Sequence, residues 1–225
     1  MASVNAIKPK ARLSNSNILF LIAAVIFVVM YLFAIISFPA SFLQFQTFFD
    51  LFNLNAPLLI MTLGLCIVMI GGGIDISIGS VCGLITMACA VFLQSETPSI
   101  WGAVLISLGI GIAFGLLQGY LIAYLEIQPF IITLSGLFMA QGLLTTLHKD
   151  PINVTMPAFV KLRDFDIVIN WLGTRNRLGV FIPCEIKPGT IIVVILLVIL
   201  ASLMKWSRFG RNVYAVGGSS TSAMM

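Results

Sequence analysis

The segment Gly71-Gly72-Gly73-Ile74-Asp75-Ile76-Ser77-Ile78-Gly79-Ser80 interrupts a long apolar run with glycines and polar residues. Residues 57–93 form a run of 37 residues whose one charged side chain is Asp75. A single helix of this length would measure about 55 Å, whereas the hydrocarbon core of a bilayer is about 30 Å thick. Because three adjacent glycines form helix poorly, the run is predicted to cross a membrane twice and to reverse at the glycine triplet.

Asp75 has two interpretations. In the first, its carboxylate caps the helix predicted over residues 76–94 and accepts backbone N–H groups that lack a partner in the first turn. In the second, the chain is unwound inside the protein, and Asp75, Ser77 and Ser80 offer polar atoms to a solute that crosses the membrane. Insertion of a charged Asp costs about 2.5–3.5 kcal/mol, which neighbouring Leu and Ile residues offset, so both interpretations stay open.

The composition is that of an integral membrane protein. Of the 225 residues, 60% are hydrophobic and 9% are charged, and the mean hydropathy is +1.11, which together indicate a chain embedded in a bilayer. The 12 basic and 8 acidic residues form no stripe of the kind that binds nucleic acid. The cysteines follow no disulfide or metal pattern and His148 has no ligand partner at a suitable spacing, so we predict no metal, cofactor or catalytic residue.

The apolar runs predict an all-α membrane protein, a polytopic bundle of about six transmembrane helices. Residues 18–38, 51–70, 76–94, 101–125, 130–147 and 190–206 form the six runs. In the fourth run, Gly111, Gly115 and Gly119 recur every four residues and form one smooth face. This face either packs closely against another helix or lines a path together with Gln118.

The fifth run carries the other polar candidates. Pro129 is predicted to stand at the first position of this helix, where its missing N–H has no helical partner to lose. Thr133 and Ser135 either return their hydroxyl groups to their own helix backbone or face a path. Gln141 has no such local partner and is expected to face the bundle interior or an aqueous end.

Residues 148–189 are a long polar segment, which we expect to be either a small folded cap or a docking surface. Within it, residues 157–165 are predicted to form a short amphipathic helix. The two chain ends carry three basic residues each and this segment carries six, so the distribution of positive charge leaves the orientation open. The usual dominance of the first helix favours both termini in the cytoplasm.

Three motifs carry a resemblance to a known family. Gly72-Gly73-Ile74-Asp75-Ile76-Ser77-Ile78-Gly79-Ser80 is similar to the GGIDLSVGS signature of permease subunits of bacterial sugar ABC importers, the branch serving ribose, xylose, arabinose, galactose and galactofuranose. Two further stretches resemble the family in the same order, Pro129-Phe130-Ile131-Ile132-Thr133-Leu134 and Arg208-Phe209-Gly210-Arg211-Asn212-Val213-Tyr214-Ala215-Val216-Gly217-Gly218. Pro151-Ile152-Asn153 most resembles the galactofuranose permeases.

The resemblance implies a type II ABC importer permease of the bacterial inner membrane. The implied partners are a second permease subunit, identical or different, a cytoplasmic ABC ATPase and a periplasmic sugar-binding protein. Residues 148–189 would form an extracytoplasmic loop, and residues 207–225 would begin a cytoplasmic coupling loop. The candidates for the translocation path and its motif are Gly72, Gly73, Asp75, Ser77, Ser80, Gln118, Thr133 and Gln141. The candidates for ATPase coupling are Arg208, Arg211, Gly217 and Gly218.

The chain departs from the family in two ways. Gln141 stands where many relatives carry Arg, which removes any ion pair there. Members usually continue through further spans, so the resemblance covers nearly all of this chain but only the N-terminal portion of the single transmembrane domain of a typical permease. We therefore expect either a fragment or a truncated reading frame.

The expected function is that of a transporter subunit that forms the path of a monosaccharide and is not itself an enzyme. ATP hydrolysis would occur on a separate partner, because the chain has no GxxxxGK[ST] loop. One alternative is a truncated permease that inserts without transporting. Another is an intramembrane aspartyl protease, which needs two carboxylates that share a proton, whereas Asp75 stands at the break between two predicted spans and no other span has an acidic residue in its interior.

Overall fold

The computed structural model describes residues 15–42, 44–175 and 181–218, most of which are helical. The elements in chain order are α1 (Asn15–Ser37), α2 (Pro39–Phe42), α3 (Phe45–Ile70), α4 (Ile78–Leu93), α5 (Ile100–Ala123), α6 (Pro129–Leu147), α7 (Pro157–Arg163), β1 (Ile167–Arg175), β2 (Phe181–Ile186), α8 (Pro188–Trp206) and α9 (Arg208–Gly218). The two strands form a small sheet. The prediction of an all-α polytopic membrane protein is confirmed apart from this hairpin.

Five of the described helices are long and apolar enough to cross a membrane, namely α1, α3, α5, α6 and α8. The third of the six predicted spans, residues 76–94, requires a correction. It is the shorter helix α4, whose 16 residues measure about 24 Å. It is shorter because residues 73–77 are not helical.

The chain divides into two compact units. The first contains α1, α2, the beginning of α3 and Ile169–Cys184, while the second contains Leu51–Val168 and the residues from Glu185 onwards. In the first unit, aromatic rings cluster around Tyr31, whose ring centroid lies 6.1 Å from that of Phe27, 6.0 Å from that of Phe42 and 6.4 Å from that of Phe48.

In the second unit, α4 packs against both α5 and α6. Leu84 of α4, Phe114 of α5 and Ala140 of α6 are buried together and form the centre of this packing. Gly111 of α5 faces Ile85 of α4, whose Cδ1 would lie 4.0 Å from a methyl group at that glycine. The three helices therefore form a small core that holds the start of α4 against its neighbours.

Side-chain amides tie one end of the second unit together. Asn53 is buried, and its Nδ2 donates to the Glu185 carbonyl oxygen at 2.9 Å. Its Oδ1 accepts from the Lys187 backbone nitrogen at 2.9 Å and from the Thr190 hydroxyl at 2.7 Å. Hydrogen bonds from Asn53 thus hold the beginning of α8 against α3.

Close backbone contacts fix α9 at the opposite end of α3. A methyl group at Gly217 would overlap the Ile70 carbonyl oxygen, and one at Gly210 would overlap the backbone of Met204. The predicted cytoplasmic coupling loop over residues 207–225 thus contains the helix α9, and its coupling role stays a prediction. The remainder of that prediction, residues 219–225, lies outside the described residues.

Two local predictions are confirmed. Pro129 begins α6, and the turn before it contains Glu126 at a positive φ of 54°. The short helix predicted over residues 157–165 is present as α7.

Candidate functional site

The glycine triplet ends α3 and turns the chain. Gly72 has a φ of +84°, in the left-handed region that favours glycine. The N–H groups of Gly71, Gly72 and Gly73 donate to the carbonyl oxygens of Ile67, Met69 and Val68, each at 3.0 Å. These bonds satisfy carbonyl groups at the end of α3 that have no helical partner, so the helix stops here without burying unpaired backbone.

Asp75 lies in the non-helical segment 73–77 and bonds to the residue that precedes the next helix. Its Oδ1 accepts hydrogen bonds from the Ser77 backbone N–H at 2.8 Å and from the Ser77 hydroxyl at 2.7 Å. Ser77 is the residue that precedes α4, and its side chain caps no N–H of that helix. Asp75 therefore accepts a backbone N–H where α4 starts, and it lies in unwound chain, so the geometry is compatible with both interpretations.

Gln118 reaches Ser77 from α5. Its Nε2 donates to the Ser77 hydroxyl oxygen at 3.0 Å, and Ser77 is only 2% exposed. Buried Gly136 of α6 makes room for this contact, because a methyl group there would overlap the Gln118 amide. The Ser77 hydroxyl thus accepts from Gln118 and donates to Asp75, which joins three polar side chains inside the bundle.

Thr133 connects α6 to the non-helical segment 73–77. Its hydroxyl shares its one hydrogen between the carbonyl oxygen of Phe130 in its own helix at 3.3 Å and that of Ile74 at 3.2 Å. Thr133 is buried, whereas Ser135 is exposed and returns its hydroxyl to Ile131 at 2.9 Å. The prediction of a bond to the helix backbone is confirmed for both residues, but Thr133 also stabilises the unwound segment.

A cavity of about 380 Å³ opens beside this cluster. Among the described residues that line it, Asp75 is the one carboxylate, and Gln118 and Thr133 are the other polar side chains. The remaining lining residues are Val68, Gly71, Gly72, Gly73, Ile74, Gly115, Gly119, Ile122 and Pro129. The bundle thus contains a small polar site surrounded by glycines and apolar side chains.

The glycine face of α5 borders this cavity. Methyl groups at Gly115 and Gly119 would have no heavy atom of a neighbouring element within 4 Å. Within the described part of the chain, these two glycines do not bring helices together. Their positions agree with the alternative, in which the face lines a cavity with Gln118.

Two of the candidate path residues lie outside this site. Ser80 is in the first turn of α4 and is not among the lining residues of the cavity. Gln141 is exposed on α6, eight residues beyond Thr133, which corresponds to about 12 Å along the helix. The missed contributor is Gly136, whose sequence context gives no signal, because a glycine in an apolar helix ordinarily indicates helix packing.

The four candidate coupling residues all belong to α9. Arg208 and Arg211 are exposed, and Arg211 Nη1 donates to the Trp206 carbonyl oxygen at 3.4 Å. Gly217 lies against the glycine triplet, since its Cα would be 3.7 Å from a methyl group at Gly72. Gly218 is exposed and borders open space. The helix that contains these candidates is therefore in contact with the break that contains Asp75.

The chain belongs to the family described as the permease component of branched-chain amino acid transport systems, whose model matches residues 47–225. It is 30% identical to the fructose import permease protein FruG of Bifidobacterium longum over 98% of this chain and 63% of that protein. It is 31% identical to the inner membrane ABC transporter permease protein YjfF of Escherichia coli over 92% of this chain and 59% of that protein. No solved structure matches the chain significantly.

A further relative is the ribose import permease protein RbsC of Escherichia coli, which is 27% identical over 82% of this chain and 54% of that protein. The resemblance to sugar importer permeases is thereby confirmed, and the apolar helices and the family together indicate a multi-pass inner membrane protein. The chain spans less than two-thirds of the length of each of these relatives.

Proposed function

We propose that this chain forms the translocation path of a permease subunit in a bacterial, ATP-driven importer of a monosaccharide, either a pentose or a hexose. The names of the relatives FruG and RbsC support a sugar as the cargo. The observation that carries the proposal is the polar cavity at the helix break. Polar side chains inside membrane helices are costly and typically mark the pathway of a polar solute.

The chemistry of the cavity suits a sugar hydroxyl, which both donates and accepts hydrogen bonds. Asp75 uses Oδ1 for both bonds to Ser77, and among the described residues its Oδ2 accepts none, so this oxygen can accept from a solute. The Gln118 amide offers a donor and an acceptor at the same cavity. A few such groups bind a sugar weakly, as a transport path requires.

The proposal assigns no chemical reaction to this chain. ATP hydrolysis occurs on a cytoplasmic ABC ATPase, and a periplasmic sugar-binding protein delivers the cargo to a pair of permease subunits. In the aspartyl protease alternative, two carboxylates would share a proton, whereas one carboxylate lines the cavity among the described residues.

The proposal also implies an orientation of the chain in the membrane. Residues 148–189 face the periplasm, and α9 begins the cytoplasmic coupling region, in which Arg208, Arg211, Gly217 and Gly218 lie at the ATPase. Both termini are then cytoplasmic. Since Gly217 lies against the end of α3 at Ile70, movement of α9 would reach the glycine break directly.

The proposal is tested by reconstituting the chain in vesicles with the ATPase and binding protein encoded beside it. We expect the ATPase to co-purify with the chain and ATP turnover to rise when a sugar is added, with ribose and fructose as the first arms. A chain carrying Asp75→Ala serves as the matched control. If the unaltered chain neither co-purifies with the ATPase nor shows sugar-stimulated ATP turnover, transport by these residues is contradicted.

A further inference from the structure

A second cavity lies on the other side of α3, between α3, α8 and α9. It is a groove of about 710 Å³. The lining residues are Leu63, Cys66, Ile67, Ile70, Leu197, Leu200, Ala201, Met204, Lys205, Arg211 and Tyr214. It shares no lining residue with the polar cavity at Asp75 and therefore calls for a separate explanation.

The walls of the groove are apolar along two membrane helices. On α3 they extend from Leu63 to Ile70, and on α8 from Leu197 to Met204, a length of about 10 Å on each helix. Only Lys205, Arg211 and Tyr214 contribute polar groups among the side chains that border it, and all three stand at the end next to α9. The groove is therefore apolar along its length and basic at one mouth.

Among the described residues, no carboxylate lines the groove or forms an ion pair with either cation. Lys205 Nζ lies 5.5 Å from the centroid of the Trp206 ring, and Arg211 donates to the Trp206 carbonyl oxygen at 3.4 Å, so neither contact neutralises charge. The mouth has a net charge of +2 on exposed side chains.

The mouth lies where the headgroups of a bilayer would be. Trp206 ends α8 and is 70% exposed, and Tyr214 of α9 is 54% exposed. Trp and Tyr concentrate at the boundary between the hydrocarbon and the headgroups. The angle between α8 and α9 is fixed by Gly210, whose N–H donates to the Ser207 hydroxyl at 3.1 Å, so the two basic side chains are held beside the same opening.

We infer that this groove binds an anionic phospholipid, with an acyl chain between α3 and α8 and the phosphate between Lys205 and Arg211. Charge complementarity selects this occupant, because basic pockets between membrane helices bind anionic headgroups, whereas a purely apolar partner would leave both cations unused. Arg208 lies outside the groove and stays available to a protein partner, whereas a bound phosphate would engage Arg211 in place of the ATPase contact proposed above. The inference goes beyond the proposed sugar transport and does not depend on it.

The test uses the 225-residue chain purified in detergent and analysed by native mass spectrometry. Dioleoylphosphatidylglycerol and dioleoylphosphatidylcholine are titrated in parallel, since they differ in headgroup charge but not in acyl chains. We expect tighter binding of phosphatidylglycerol. Each basic residue near a bilayer surface raises the affinity for anionic lipid roughly fivefold. The affinity of the double variant Lys205→Gln/Arg211→Gln for phosphatidylglycerol should therefore be roughly 30-fold lower.

Two further variants decide between a defined site and diffuse attraction. Arg208→Gln removes one charge from α9 outside the groove and should leave phosphatidylglycerol binding within about twofold of the unaltered chain, below the fivefold effect of a lining charge. Ala201→Phe fills the apolar wall without changing charge and should weaken binding. Equal binding of the two lipids, an unaffected double variant, or a loss of affinity in Arg208→Gln as large as the roughly fivefold effect of a lining charge would each overturn the inference.

Discussion

Asp75 makes both of its hydrogen bonds to Ser77 through a single carboxylate oxygen, and this geometry allows charge and shape to be separated by mutation. Asp75→Asn keeps a carbonyl oxygen that can accept from the Ser77 N–H and hydroxyl, whereas Asp75→Ala removes the acceptor. Hydrogen bonds to charged groups contribute about 1.5–3 kcal/mol. The two variants therefore differ mainly in whether the turn before α4 survives.

We predict that Asp75→Ala lowers sugar uptake by tenfold or more and lowers the free energy of unfolding by about 1–3 kcal/mol. Asp75→Asn should retain most of the stability and still lower uptake, because the path loses its charged acceptor. Uptake by the assembled transporter and thermal melting in detergent are the measurements. Full uptake by Asp75→Asn together with normal membrane insertion would reduce Asp75 to a structural role.

Asn53 is a second residue whose contribution to stability can be measured against a matched control. Its replacement by alanine would leave the Lys187 N–H, the Glu185 carbonyl and the Thr190 hydroxyl without their present partner. We predict a loss of about 1–3 kcal/mol in the free energy of unfolding, the usual cost of an unsatisfied buried polar group.

Asn55 provides the matched control on the same helix. It is exposed, and its amide donates to the Leu51 carbonyl oxygen of its own helix at 2.7 Å. Asn55→Ala should therefore change stability by less than about 0.5 kcal/mol. Equal melting temperatures for Asn53→Ala and Asn55→Ala would show that the attachment of α8 to α3 contributes nothing measurable.

At the scale of elements, the contact between α9 and α3 depends on the absence of one side chain. A methyl group at Gly217 meets the backbone of Ile70, which cannot move aside as a flexible side chain would. Overpacking of this kind costs about 1–3 kcal/mol. We predict that Gly217→Ala separates α9 from the end of α3.

Hydrogen exchange of the amides at residues 71–73 measures this separation. Those amides should exchange faster in Gly217→Ala, because α9 no longer covers the glycine triplet. Gly218→Ala is the control, since a methyl group there meets open space. Identical exchange in the two variants would mean that α9 does not protect the break.

The basic face of α9 gives a prediction about the ATPase partner. Arg208 is exposed at the start of this helix and lies outside both cavities described above. We predict that Arg208→Glu weakens retention of the ATPase in a pull-down by tenfold or more, since charge reversal turns attraction into repulsion. Lys149→Glu changes the charge equally in the predicted periplasmic segment and should have no effect. Equal retention by both variants would refute the coupling role of α9.

At the scale of the whole molecule, local signals could be predicted and distant contacts could not. The glycine triplet predicts the break, and Pro129 predicts the start of α6, because each acts through its own backbone. The bonds of Asn53 join residues 132 to 137 positions apart, and nothing in the neighbourhood of Asn53 in the sequence points to them. The same holds for Gly136, whose role depends on where Gln118 lies.

The length of α4 depends on contacts that the local sequence does not show. The sequence predicts this helix from residue 76, whereas α4 begins at Ile78, because Asp75 accepts from Ser77 and Thr133 donates to the Ile74 carbonyl oxygen. The helix α9 contains Gly210, Gly217 and Gly218, which form helix poorly, and two of these glycines pack closely against the backbones of α8 and α3.

The reversal of the chain at residues 71–77 underlies the cavity at Asp75, and labelling of single cysteines tests it most directly. The four native cysteines are replaced by alanine, and Asp50→Cys, Ser95→Cys and Gly218→Cys are introduced one at a time and treated with an impermeant maleimide in sealed vesicles. We predict that residues 50 and 95 are labelled from one side of the membrane and residue 218 from the other. Labelling of residues 50 and 95 from opposite sides would contradict the reversal, and with it the site at Asp75.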